Sequence, residues 1–153
     1  MAQSYVDVTS TGTTATLIAS KTFPIGVQLT QFADKGELFK FGDSEMAKFV
    51  QSPNGAMIYY DVASTAKTID IALIPTSDED VALFTLAQAN QSGVGKRASG
   101  DIITLVIDYP KFKVVYSNGK LLKSPQGYTA GSDGQITANT YSFVFEKGEM
   151  IPL

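Results

Sequence analysis

Three short stretches of the chain hold the residue types that chemistry needs. Ser92-Gly93-Val94-Gly95-Lys96-Arg97 joins two glycines to two cations, the makings of a loop that cradles phosphate. Its spacing departs from GxxxxGK[ST], and it follows a helical pattern where a phosphate loop precedes one. A solvent-facing loop is the expectation. Asp78-Glu79-Asp80 offers three carboxylates, but Ca²⁺ draws six or more oxygens from spaced positions, and three consecutive acids point in different directions. Helix capping accounts for them. Serines and lysines are plentiful, yet no Ser-x-x-Lys opens a helix. Asn90-Gln91-Ser92 matches a glycosylation sequon, which has meaning only in a secreted protein.

The larger chemical fact is compositional. In 153 residues there is no His, no Cys and no Trp. His is the usual base near neutral pH and, with Cys, the usual ligand of transition metals. The sequence therefore assigns no catalytic, cofactor-binding or metal-ligating residue and points away from an enzyme. A structural protein that assembles with itself is the expectation.

The elements that would position such residues are mostly strands. Ile69, Ile71 and Leu73 alternate with Thr68, Asp70 and Ala72, the pattern of a strand with one buried and one wet face. Ile103, Leu105, Ile107 and Tyr109 share a face whose reverse carries Ile102, Thr104, Val106 and Asp108, so this strand reads as covered on both sides and central. Tyr141, Phe143 and Phe145 give an aromatic core face near the C-terminus. Further strands are expected over residues 13–18, 26–32, 57–62 and 112–116. Asn118-Gly119 carries the chemistry of a tight type I′ hairpin between residues 114–117 and 120–122. Pro53-Asn54-Gly55 and Ser132-Asp133-Gly134 carry similar turn chemistry, the second with room for a longer loop. One helix stands out, with Ser77 as N-cap, acids in its first turn, and Val81, Leu83, Phe84, Leu86 and Ala87 forming a broad apolar stripe up to about residue 90. Residues 43–50 read as a short helix or a loop, since Met46, Phe49 and Val50 have helical spacing between Gly42 and Pro53.

With 44% hydrophobic residues, the chain can bury a sizeable core as a single domain over residues 1–153, without disulfide or metal. A net charge of −3 argues against a surface built to grip phosphates. The segment Met1-Ala2-Gln3-Ser4-Tyr5 has neither a basic start nor an apolar run, and no apolar stretch is long enough to span a bilayer. No signal peptide or membrane anchor is expected, and synthesis belongs in a cytoplasm.

Residues 32–43 alternate charges with aromatics and end in glycine. Two readings stand side by side. They form an amphipathic core strand, or an arm whose Leu38, Phe39 and Phe41 are too apolar to leave in water and so meet a partner. The candidate inter-subunit contacts are Leu38, Phe39, Phe41, Met46 and Phe49.

The run from Ser52-Pro53-Asn54-Gly55 through Thr68-Ile69-Asp70-Ile71-Ala72-Leu73 to Pro75-Thr76-Ser77-Asp78-Glu79-Asp80 and Leu83-Phe84 resembles the tail tube proteins of contractile-tailed bacteriophages. The strand at 101–108, the Ser124-Pro125-Gln126-Gly127 segment and the closing aromatic strand at 141–145 extend the resemblance over residues 25–147. It is a pattern of elements rather than a motif. The resemblance implies a mainly β fold with one flanking α-helix and two packed antiparallel sheets, a sandwich or barrel-like tail tube fold. It further implies six copies in a ring and rings stacked into a hollow conduit for DNA ejection, in a phage virion assembled in a bacterial host cytoplasm. The implied partners are the chain itself and the sheath, tape-measure and baseplate proteins, with DNA passing through the lumen without specific binding. Related ring proteins, a secretion-system tube subunit or a tail terminator, share that logic. A monomeric β-sandwich binding module is the alternative of another class; the lack of Trp counts against it, although seven Tyr are present.

Overall fold

A period of two governs the chain, and the computed structural model, which describes residues 12–30, 32, 39–63, 66–98 and 100–152, turns that period into strands. In chain order these are β1 (Thr14–Ala19), β2 (Phe23–Leu29), β3 (Phe39–Phe41), β4 (Ala47–Gln51), β5 (Met57–Asp61), β6 (Lys67–Ala72), β7 (Ile103–Asp108), β8 (Phe112–Lys123) and β9 (Thr140–Pro152), with α1 (Asp78–Asn90) between β6 and β7. The protein is mainly β, with one helix and two antiparallel sheets. The large sheet has seven strands in the order β2-β1-β7-β8-β9-β6-β3; the small one is the β4-β5 hairpin.

Two long strands organise the large sheet. β8 pairs with β9 from Phe112↔Pro152 to Lys123↔Ser142. β7 lies beside β8 only as far as Gly119, and β6 lies beside β9 only from Thr140 to Phe145. The sheet is thus two wings, β2-β1-β7 and β6-β3, joined by halves of β8 and β9. Their inner faces and α1 share one core. Leu17, Leu29, Ile69, Ile71, Ile103, Leu105, Ile107, Tyr141, Phe143 and Phe145 are fully buried there, with Leu83 and Leu86 of the helix. Each such side chain contributes about 1.5–3 kcal/mol of burial.

The helix is held by its polar residues as much as by its apolar ones. Ser77 caps it, its Oγ accepting from the Asp80 N–H at 3.2 Å. Asp80, buried, accepts from the Tyr141 hydroxyl at 2.9 Å, the Tyr128 hydroxyl at 2.8 Å and the Thr76 N–H at 3.1 Å. Glu79 accepts from the Thr30 N–H at 2.9 Å. At the far end, Asn90 donates to Asp101 at 2.9 Å, and Asp101 also accepts from the N–H groups of Lys21 and Thr22 at 2.7 and 2.8 Å. Each of the two buried carboxylates accepts from several donors, the condition for tolerating a charge away from water.

Two local expectations are corrected. Asn118-Gly119 does not turn the chain; β8 runs straight through it. Asn118 has φ 55°, and two steps on β7, Leu105 to Ile103, face three on β8, Tyr116 to Gly119. The positive φ serves a β-bulge instead of a type I′ turn. Gly119 is needed beside it because a Cβ would overlap the Phe145 ring. Residues 47–51 are strand, not helix or loop: β4 finds a partner in β5, and backbone pairing outweighs helical spacing in so short a run.

Candidate functional site

Among the described residues, the β4-β5 hairpin gathers the densest run of exposed large apolar side chains, from Met46 to Tyr60. Its turn is built by Pro53-Asn54-Gly55, with Gly55 at φ 92°, the Gly55 N–H donating to the Ser52 carbonyl at 2.9 Å and the Ser52 N–H to that of Ala56 at 2.8 Å. Phe49 faces Tyr59 and Gln51 faces Met57 on one side; Val50 faces Ile58 and Lys48 faces Tyr60 on the other. Phe49 is 66% exposed, Tyr59 71%, Ile58 56% and Val50 51%. An antiparallel sheet exposed to water normally keeps one polar face. This hairpin has none, and a lone two-stranded ribbon is marginal by itself. Exposed apolar area of this kind is the class of surface that interaction sites use.

The proposed contact residues separate in space. Phe39 packs against the core cluster, its ring 5.0 Å from that of Phe32 in an edge-on arrangement. Phe41 is partly exposed and lies 5.9 Å from Tyr116. Met46 and Phe49 sit on the hairpin, exposed. Leu38 lies outside the described residues. Of the two readings of residues 32–43, β3 thus follows the core-strand one, pairing with β6. Val50, Ile58, Tyr59 and Tyr60 were not singled out from the sequence. The available signal was the unbroken run Met57-Ile58-Tyr59-Tyr60, which leaves neither face of a strand polar.

The stretches with chemical residue types are used structurally. The Lys96 ammonium donates to the Gln88 carbonyl at 2.7 Å, placing its charge at the C-terminal end of α1, where the helix dipole favours a cation. Gly93 and Lys96 close a tight turn on each other. The acids of the first helical turn part company: Glu79 reaches Thr30, and Asp80 points inward to the two tyrosines. Burial, followed by the bond to Asp80, pushes the Tyr141 hydroxyl well above the ordinary tyrosine value, and the same causes push Tyr128 up to about 12.

Backbone edges add to the picture. Among the described residues, β9 beyond Phe145 has β8 on one side and no strand on the other, and β8 beyond Gly119 has β9 alone. Such edges are templates for pairing with another chain.

A chain in the cryo-EM structure of the anti-feeding prophage baseplate, 6-fold symmetrised, superposes with a TM-score of 0.57 at 8% identity, over 96% of this chain and 97% of that one. A chain in the cryo-EM structure of the anti-feeding prophage cap, a tube terminating cap, gives 0.58 at 10% identity, over 100% and 95%. At these identities the likeness is one of fold. No curated protein matches the sequence. The sequence matches the family described as tail fiber protein gp32 over residues 6–149. That match takes in nearly the whole chain, so the protein belongs to the tail fiber protein gp32 family and is a phage tail-type structural protein.

Proposed function

We propose that the chain is a tail tube subunit, forming hexameric rings that stack into a hollow conduit for DNA ejection, with no catalytic role. The observation that carries this reading is the β4-β5 hairpin, apolar on both faces and exposed in the single chain. A side chain exposed on one face of a ribbon is covered by one neighbour; a ribbon apolar on both faces is covered when it is held between surfaces, as in a repeating assembly. The free edges of β8 and β9 allow backbone pairing between copies, and a contact between different patches on identical subunits closes into rings or runs on as a filament. A mildly acidic chain also suits a passage through which DNA slides without sticking. The partners in this reading are further copies of the chain, then sheath, tape-measure and baseplate proteins of a virion.

A second reading, a ring that closes the tube as a tail terminator, is favoured by the likeness to the tube terminating cap. Negative-stain microscopy of the purified protein at high concentration, with its size-exclusion mass, distinguishes them. Long hollow tubes support the tube subunit, and isolated six-fold rings support the terminator. A solid fibre without a lumen contradicts both, as does a monomer at every concentration, which favours a binding module.

A further inference from the structure

Beside the free edge of β8 lies a groove of about 590 Å³, walled by Phe84 and Ala87 of α1 and by Leu121, Leu122 and Pro125 of β8 and the residues after it. We propose that this groove is the socket for the β4-β5 hairpin of a second copy of the chain, with β5 adding to β8 as a further strand; the proposal rests on the assembly reading above. The edge is short and available. β7 leaves β8 at Gly119, so Lys120 to Lys123 keep only their β9 partners Val144, Phe143 and Ser142. β5 is one residue longer, running Met57–Asp61, and among the described residues has β4 on one side only. Strand addition of this type draws affinity from main-chain hydrogen bonds and specificity from side-chain pockets.

Charge selects β5 over β4. The β8 edge carries Lys120 and Lys123 and no acid, whereas β5 carries Asp61 and no cation; β4 carries Lys48, which would meet like charge. An antiparallel approach that sets Ile58 opposite Leu122 sets Tyr60 opposite Lys120 and carries Asp61 just past it, to where β7 leaves β8 at Gly119. Ile58 and Leu122 are each more than half exposed in the single chain and would cover one another. Hairpin and groove are different patches of one molecule, so each copy offers one and accepts one, the head-to-tail condition for a ring or filament.

The chain has no cysteine of its own, which makes cross-linking clean. Assembled protein carrying Ile58→Cys with Leu122→Cys, and separately Tyr60→Cys with Lys120→Cys, is treated with a short bis-maleimide and run on a denaturing gel, with assembly checked by microscopy beforehand. The expected result is a ladder of covalent multimers from either double variant, a dimer when the two single variants of a pair are mixed, and monomer from each single variant alone. Intact assemblies that yield only monomer from both pairs overturn the socket and leave the assembly reading standing. Dimers from Ile58→Cys alone overturn it too, because they would mean hairpin meets hairpin. Unassembled protein that yields only monomer, beside equally unassembled wild type, overturns both.

Discussion

Asp80 shows how far a single residue departs from its reading in the sequence. As the third residue after the Ser77 cap it belongs where the helix dipole welcomes an acid, and its backbone does take part in the cap. Its carboxylate, however, is buried and receives two phenolic hydroxyls from Tyr128 and Tyr141, 48 and 61 residues away. Nothing local announces partners at that separation. Asp80→Ala should cost about 2 kcal/mol in urea unfolding, because it strands the buried Tyr141 hydroxyl; a change below a few tenths would show that the network is idle. The tyrosines set an alkaline limit. Their hydroxyls are held neutral in the fold, so the stability they contribute is complete below about 10, the unfolded value, and is lost as the pH climbs toward about 12 for Tyr128. Tyr128→Phe should therefore be less stable than wild type at neutral pH yet decline less steeply above about pH 10. Parallel melting curves across that window would contradict the assignment.

At the scale of elements, the sequence was most legible where the period of two was clean. β6 and the first half of β9 carry the buried faces expected of them, α1 begins at the expected cap, and β7 is central but buries one face, its reverse being half-buried instead of covered. Legibility failed where one local signal serves two structures. Asn118-Gly119 supplies a positive φ that suits either a tight turn or a bulge, and only the partners on both sides of β8 decide for the bulge. The helical spacing of Met46, Phe49 and Val50 was outweighed by pairing with a strand ten residues on, whose register no local pattern encodes. Gly119→Val tests the bulge: the added side chain meets the Phe145 ring and should cost about 2 kcal/mol by overpacking. A neutral result in denaturant titration would mean the β8 backbone lies elsewhere.

For the whole molecule, the same sequence pattern that builds a core also leaves apolar surface outside it. Phe39 and Phe49 look alike in the sequence, both aromatic beside a lysine, yet one packs half-buried against the core and the other lies exposed on the hairpin. Which of them is free depends on the sheet order β9-β6-β3, a non-local outcome. It follows that Phe39→Asp should unfold the chain rather than merely separate subunits, whereas charges placed on the hairpin should spare the fold. The most direct measurement is negative-stain microscopy of Phe49→Asp with Tyr59→Asp beside the wild type, at equal concentration and with matching circular dichroism. Hollow tubes or six-fold rings from the wild type and folded monomers from the variant are the predicted outcome; the same tubes from both would contradict assembly through the hairpin.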